Sequence, residues 1–184
     1  MQPVSLRAVR YDARTIAFHW ATVVLVAAQW VLAQVIDDFP RGAPRVAARS
    51  THIVLGLVIA AVVLWRVLWR ATRGRRLPAA DRGALHAVAK LTHWGMYGLI
   101  AAALLLGMFT AWAQGDSIYG LFKLPDYMPG NPDFGDQVAG VHGTVVTVLL
   151  ILAGVHAAAA LVHQYVWRDG LLRRMLPGGK ADSA

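Results

Sequence analysis

Four long runs of residues contain no Asp, Glu, Lys or Arg, and charged or helix-breaking residues separate them. The runs cover residues 15–36, 51–65, 91–115 and 137–167. An α-helix rises about 1.5 Å per residue, so about twenty apolar residues cross the roughly 30 Å hydrocarbon core of a bilayer. The second run is shorter, but the long side chains of Arg66 and Arg70 extend from its end to the membrane surface. We therefore predict an all-α integral membrane domain over residues 1–184, with helices at about 15–36, 51–69, 91–113 and 138–167 and a basic C-terminal tail at 168–184.

The connections between these helices contain proline and glycine, which interrupt regular structure. Pro40, Gly42 and Pro44 predict a loop at 37–49, and Ser50 is then the predicted N-cap of the second helix. The next connection is rich in arginine and covers residues 66–90. The third, residues 116–136, is the longest irregular segment, punctuated by prolines.

Composition agrees with a membrane protein and excludes several kinds of cofactor site. The chain is 57% hydrophobic and only 15% charged, below the roughly 25% that is usual in soluble domains. Its net charge of +8 is divided among the connections and does not form one basic stripe, so we exclude nucleic acid as a partner. The chain has no cysteine, which excludes disulfides, thiolate-held iron–sulfur clusters and covalently attached haem.

The positive charges lie mostly on one side of a four-pass arrangement. Fourteen of the 18 Lys and Arg residues fall in the N-terminal segment, the second connection and the C-terminal tail. The other two loops carry four cations, against six aspartates: Arg41, Arg45, Arg49 and Lys123. Because positively charged loops stay in the cytoplasm, we predict an up-down-up-down bundle with both termini cytoplasmic.

Histidines supply the chemistry of the predicted bundle. In the last helix His142, His156 and His163 project from one stripe, because 14 and seven residues are close to whole numbers of turns. The topology places His52 and His142 together in the outer half. It places His19, His93, His156 and His163 in the inner half, where the spacing favours His156 over His163 as a partner for His19 but leaves the choice open.

Paired imidazoles on separate helices indicate bis-histidine haem b. They do not form the closed tetrahedral set of structural zinc, and the carboxylates of a di-iron bundle are lacking. An iron with both axial positions filled favours electron transfer over oxygen binding. Gly56 and Gly143, near the outer histidines, leave gaps that a flat macrocycle needs. Structural roles are expected for His86 and His93, and core packing for Met96 and Met108.

Several short motifs resemble the prokaryotic cytochrome b561 family. They are Phe18-His19-Trp20, His52 with Gly56, Arg66-Val67-Leu68-Trp69-Arg70, His142-Gly143, and the stretch from Gly154 to Tyr165 (GVHAAAALVHQY). The similarity extends from about residue 12 to Pro177. It implies a bacterial inner-membrane protein with two b haems, ligated by His19 and His156 on the cytoplasmic side and by His52 and His142 on the outer side. It also implies electron exchange with membrane ubiquinone and, in at least one branch, oxidation of superoxide at the outer face.

This resemblance suggests roles for several charged and polar residues. Superoxide is a small anion that cations would attract, and the four outer candidates are Arg41, Arg45, Arg49 and Lys123. Arg49 could equally bind a haem propionate, as Arg14 and Arg10 could at the inner haem. For ubiquinone we expect a site near His163 and Tyr165.

Two other classes of protein compete with a quinone-linked oxidoreductase. One is the haem b membrane-anchor subunit of a larger quinone-linked dehydrogenase or hydrogenase, although the short loops leave little docking surface. The other is a transporter or scaffold whose histidines are structural. Absorption bands of haem separate the last class from the first two.

Overall fold

The computed structural model describes residues 10–125 and 131–178 and is almost entirely helical. Residues 1–9 and 179–184, at the ends of the predicted terminal segments, and residues 126–130 of the predicted third connection lie outside the described residues. The helices are α1 (Ala13–Val35), α2 (Ala43–Thr72), α3 (Gly83–Ala113) and α4 (Pro132–Tyr165). All four are long and apolar enough to cross a membrane. Short 3-10 turns follow α1 at Ile36–Asp38 and α4 at Leu171–Arg174.

Helix α1 begins at a carboxylate that several elements share. Asp12 is its N-cap and accepts hydrogen bonds from Thr15 N at 2.9 Å and Thr15 Oγ1 at 2.6 Å. It also accepts from Trp69 Nε1 at 2.8 Å, in the last turn of α2, and from Arg75 N at 3.0 Å, three residues after α2 ends. Partial burial raises the pKa of Asp12, but these four donors outweigh it and lower the pKa to about 2. The N-cap of one helix therefore also fastens the end of the next.

Helix α2 begins eight residues before the start that the sequence predicted. Pro44 lies in its first turn, where proline has no hydrogen bond to lose, and Gly42 precedes the helix with φ 97°. The predicted N-cap role of Ser50 is wrong, because Ser50 lies inside α2. Its Oγ is fully buried, 2.6 Å from the Val46 carbonyl and 3.0 Å from the Ser117 carbonyl.

Helices α3 and α4 also begin earlier than their apolar runs. The sequence predicted α3 from residue 91, but it begins at Gly83, and α2 continues to Thr72, so the second connection shortens to residues 73–82. Helix α4 begins at Pro132, six residues before its predicted start, and ends at Tyr165 instead of residue 167. The third connection is not wholly irregular, since Ser117–Ile118 and Phe122–Lys123 pair as an antiparallel hairpin. Tyr119 and Gly120, in its turn, both have positive φ.

The helices pack as two close pairs. Helix α3 packs mainly against α4, and α1 against α2, with a smaller contact between α2 and α3. Among the described residues, α1 and α4 do not approach each other closely. Small side chains, Ala103, Ala111 and Ala113, are the buried residues of α3, which brings the α3 backbone close to its neighbours. The separation of α1 from α4 leaves room inside the bundle.

The segment after α4 returns to the beginning of the chain. Trp20 Nε1 donates to the Met175 carbonyl at 2.7 Å, and Tyr11 N donates to the Arg174 carbonyl at 3.1 Å. Arg174 Nη1 in turn donates to the Pro78 carbonyl in the connection between α2 and α3. These bonds tie both ends of the described chain and the second connection into one cluster.

Candidate functional site

A cavity of about 570 Å³ lies among the four helices, and His52 and His142 line it together. Helix α1 contributes Gln29 and α3 contributes Ala103. The ring centres of His52 and His142 are 6.4 Å apart and their planes are nearly perpendicular. We call this pair the first histidine site. The volume of the cavity lies within the roughly 300–1,000 Å³ that is usual for ligand and cofactor pockets.

The ring nitrogens at the first histidine site have different surroundings. His142 Nδ1 lies 3.0 Å from the Ala103 carbonyl, so Nδ1 carries the proton and Nε2 keeps its lone pair for a ligand. A histidine that binds a metal usually donates its other ring N–H to a carbonyl in this way. His52 Nδ1 is buried and has no hydrogen-bond partner among the described residues.

Glycines keep the space beside these imidazoles open. Within the described parts of the chain, a Cβ at Gly143 or Gly140 would meet no atom within 4 Å, and one at Gly56 would meet only the Gln29 amide, at 3.6 Å. Gly107 is different, because a Cβ there would lie 3.2 Å from Cε1 of His142. The sequence predicted gaps at Gly56 and Gly143; the contact of Gly107 depends on how α3 packs on α4, which no local motif reveals.

These features fit a haem held between two imidazoles. Two imidazoles that bind one metal from opposite sides through bonds of about 2.0 Å have ring centres roughly 6 Å apart. The observed separation is 6.4 Å. A buried ring nitrogen without a partner, open glycines and a largely apolar cavity suit the same group. His52, His142, Gly56 and Gly143 are therefore the residues that would hold it.

A second histidine site brings together His19, His93 and His156, which are close enough to interact electrostatically. The rings of His93 and His156 are in contact, with centres 5.1 Å apart. His93 Nδ1 lies 2.6 Å from the Ala89 carbonyl in the preceding turn of α3. Among the described residues, His93 and not His19 makes the ring contact with His156. Sequence reasoning assigned His93 only a structural role, because one histidine near a helix end gives no sign of which way it faces.

An arginine completes the second histidine site. Arg66 Nη2 lies 3.2 Å from Nδ1 of His19, and the Arg66 guanidinium lies over the ring of Tyr97 with 5.4 Å to its centre. A cation among three imidazoles favours their neutral forms, and neutral imidazole is the form that binds a metal. The sequence motif contained Arg66, but sequence analysis gave it no role at the site.

The two residues predicted to bind quinone differ in exposure. His163 is buried, with Nδ1 2.5 Å from Asp169 Oδ2 and Nε2 3.8 Å from Asp81 Oδ2, whereas Tyr165 is 69% exposed. Slight burial raises the pKa of Asp169, but the His163 and Leu171 N–H donors and the nearby charges lower it overall. Neither aspartate was predicted as a partner of His163, because Asp169 comes from the tail and Asp81 from the connection between α2 and α3.

The predicted outer cations fall into two groups. Arg49 bonds to Gln114 Oε1 and to Asp116 at 3.1 Å, and Arg45 bonds to the Phe39 and Asp37 carbonyls. Burial raises the pKa of the Asp116 carboxyl although Arg49 opposes the shift. Arg41 and Lys123 are exposed and have no polar partner among the described residues.

The two arginines predicted near the inner site also contact neighbouring groups. The Arg14 guanidinium lies over the ring of Trp69, 4.7 Å from its centre, and Arg10 donates to the Leu176 carbonyl. His86, for which a structural role was expected, is exposed on the first turn of α3.

Comparison with known proteins gives consistent matches over almost the whole chain. The family model described as prokaryotic cytochrome b561 matches residues 10–178. A probable superoxide oxidase, CybB, of Yersinia pestis is 27% identical over 172 residues, covering 91% of this chain and 96% of that protein. Cytochrome b561 homolog 1 of Escherichia coli K12 is 27% identical over 175 residues, covering 93% and 99%. Cytochrome b562 of Cereibacter sphaeroides is 29% identical over 171 residues, covering 90% and 94%.

Proposed function

Because the chain belongs to the prokaryotic cytochrome b561 family, we propose that it is a diheme, transmembrane electron-transfer protein that oxidises superoxide and reduces ubiquinone. Family membership and the four apolar helices make it a multi-pass membrane protein that binds haem b and takes part in electron transport. The number of haems, their ligands, the donor and the acceptor are parts of the proposal. The observation that carries it is the 6.4 Å separation between the ring centres of His52 and His142, which line one cavity.

We assign the outer haem to His52 and His142 and the inner haem to His19 and His156. Each bound haem b would supply a one-electron iron couple. At the outer site the chain orients His142 through Ala103 and leaves space at Gly56 and Gly143.

At the inner site His19 and His156 approach each other in a cluster that also contains His93 and Arg66. We propose that His93, whose Nδ1–H is held by the Ala89 carbonyl, lies beside this haem without ligating it, because the resemblance to the family assigns the two ligands to His19 and His156. Arg14 remains a candidate partner for a propionate at this end, by turning away from Trp69.

The proposed orientation is an up-down-up-down bundle in the bacterial inner membrane with both termini cytoplasmic. Its support is the bias of Lys and Arg towards the terminal segments and the second connection. Contacts between the start of α1 and the end of α2, at His19 and Arg66, agree with antiparallel neighbours. So does the contact between Gln29, late in α1, and His52, early in α2.

The overall reaction balances with superoxide as the donor. Two superoxide anions each lose one electron and leave as O₂, while one ubiquinone gains two electrons and two protons to become ubiquinol. We propose that Arg41 and Lys123 attract the anion to the outer face, because they are exposed and unpaired among the described residues. Arg45 and Arg49, which are bound to neighbouring groups, would mainly hold the outer loops in shape.

We place the quinone near His163 and Tyr165 at the inner end. His163 is buried between two carboxylates, which would let an imidazole hydrogen-bonded to a quinone oxygen pass on a proton. Tyr165, exposed at the end of α4, would form part of the lipid-facing entrance.

Haem counting tests the ligand assignment. In detergent-purified protein, His52→Ala and His142→Ala should each lose one haem in a pyridine hemochrome assay, and His19→Ala and His156→Ala should each lose the other. His86→Ala is the matched control and should keep both. A protein without a Soret band, or a His93→Ala variant that loses the inner haem as completely as His19→Ala, would contradict the assignment.

Stopped-flow mixing tests the activity. The purified chain, mixed with superoxide and a soluble ubiquinone, should show haem reduction faster than uncatalysed dismutation, followed by ubiquinol formation. Intact haems that superoxide does not reduce would favour the membrane-anchor alternative.

A further inference from the structure

A glutamine in the apolar helix α1 is directed at the first histidine site. Gln29 Nε2 donates to the backbone carbonyl of His52 at 2.9 Å, and Gln29 lines the same cavity as His52. Its other end, Oε1, is buried and has no hydrogen-bond partner among the described residues. An unpaired buried acceptor costs about 1–3 kcal/mol, so a polar side chain is expected here only if something satisfies it.

Within the part of the chain that the structure describes, His52 has a ring nitrogen that lacks a hydrogen-bond partner in the same way. Its Nδ1 is also buried without a partner among the described residues. An imidazole that binds a metal through Nε2 carries its proton on Nδ1 and needs an acceptor there. His142, the other histidine of the pair, already has this acceptor in the Ala103 carbonyl. The two imidazoles therefore differ in one respect, and an unused acceptor lies on a residue that already touches His52.

The amide orientation follows from the contact already made. Only the NH₂ end of Gln29 can face the His52 carbonyl, because two oxygens would repel each other. Oε1 is consequently the end left over. The last torsion of a glutamine side chain has a broad minimum, so a small tilt of the amide can bring Oε1 closer to the imidazole of His52 while Nε2 stays within reach of the His52 carbonyl.

We propose that Gln29 is a positioning residue of the outer haem site, holding His52 through its carbonyl and accepting the Nδ1 proton when the haem is bound. The inference rests on the proposed ligation of the outer haem by His52 and His142. Gln29 then fixes the tautomer of His52 and makes its imidazole a stronger electron donor to the iron. A stronger axial donor stabilises the oxidised iron, so Gln29 lowers the reduction potential of the outer haem.

The test compares two glutamines of α1, one that bonds to a histidine of the first histidine site and one that bonds within its own helix. Gln29→Leu removes both hydrogen bonds with little change in volume. Gln34→Leu is the matched control, because Gln34 is exposed and, among the described residues, its Nε2 bonds to the Trp30 carbonyl of its own helix at 3.4 Å and to no histidine. The readouts are the two haem potentials by spectroelectrochemical titration and the low-spin ferric EPR signals. The His142→Ala variant identifies which signals belong to the outer haem.

We expect Gln29→Leu to raise the potential of the outer haem and shift its EPR signal, with the inner haem unchanged. Gln34→Leu should leave both haems as in the wild type. If Gln29→Leu does not assemble, Gln29→Glu, which keeps an acceptor, provides the test and should lower the outer potential or leave it unchanged.

Equal outer potentials in Gln29→Leu, Gln34→Leu and wild type would overturn the proposal, as would a raised potential in Gln29→Glu. Failure of the underlying function looks different. In that case the wild type lacks one or both haems, or His52→Ala and His142→Ala retain both.

Discussion

Adding one methyl group at Gly107 should disturb the outer haem site, whereas the same change at Gly98 should not. Both glycines lie in α3. A Cβ at Gly107 would lie 3.2 Å from Cε1 and 3.5 Å from Nδ1 of His142, while a Cβ at Gly98 would meet no atom of the described residues within 4 Å. Carbon atoms rest at about 3.5–4.0 Å from one another, so the His142 ring must move by a few tenths of an ångström.

Two opposing effects determine how much each substitution changes the stability of the protein. Replacing glycine by alanine inside a helix favours the helix by roughly 0.8–1.0 kcal/mol. Forcing an extra methyl group into a packed site costs about 1–3 kcal/mol. The displaced ring also stretches the 3.0 Å bond between His142 Nδ1 and the Ala103 carbonyl. We therefore expect Gly98→Ala to stabilise the protein by up to about 1 kcal/mol and Gly107→Ala to be about 1–3 kcal/mol less stable than Gly98→Ala.

Thermal unfolding followed by circular dichroism in detergent measures the stability difference, and pyridine hemochrome with EPR measures the outer haem. Gly107→Ala should lower the content of one haem or alter its EPR signal and leave the other haem unchanged. The affected haem should be the one that His142→Ala removes. If Gly107→Ala and Gly98→Ala gave the same stability and the same spectra, the packing of α3 against His142 described above would be wrong.

Three further changes have definite expected outcomes. Asp12→Asn should destabilise the protein by about 1 kcal/mol at pH 7, after allowing for solvent screening, because the fold lowers the pKa of Asp12 from 3.8 to about 2. That contribution is present above pH 4 and is lost as the pH falls through 2, so unfolding curves of variant and wild type should converge in acid; a constant difference would refute this. Charge reversal at both Arg41 and Lys123 should slow haem reduction by superoxide severalfold, with a smaller effect in high salt, and equal rates would remove them from the entry path. Trp20→Phe removes the 2.7 Å bond to the Met175 carbonyl, so it should cost about 1 kcal/mol and speed protease cleavage after α4, without loss of haem.

The number and type of the helices were predictable because membrane burial requires long apolar runs, and these are visible in composition alone. The helix beginnings were not. The first eight residues of α2 and of α3 are polar or mixed, so hydropathy does not distinguish them from loops. Pro44 was interpreted as a helix breaker, although proline in a first turn is compatible with a helix and even favours its start.

The histidines show the same division between local and long-range information. Spacing along α4 placed His142 and His156 on one stripe, since the periodicity of a helix is fixed. The position of His93 against His156 depends on the rotation of α3 about its axis, which its own sequence does not determine. Likewise, the carboxylates beside His163 come from segments six and 82 residues away, and only the fold of the tail and the second connection brings them together.

The separation of α1 from α4 explains why Gln29 Oε1 and His52 Nδ1 have no partner in the part of the chain that the structure describes. If the two helix pairs closed on each other, Gln29 and His52 could find partners in α4, and the cavity would disappear. Glycines along α4, at Gly140 and Gly143, keep the facing surface open. The cost of leaving Gln29 Oε1 and His52 Nδ1 unsatisfied is therefore reasonable only in a bundle completed by a group that fills the space between α1 and α4. A four-helix bundle with structural histidines alone would have no reason to combine an open interior with two buried polar atoms that lack partners within residues 10–125 and 131–178.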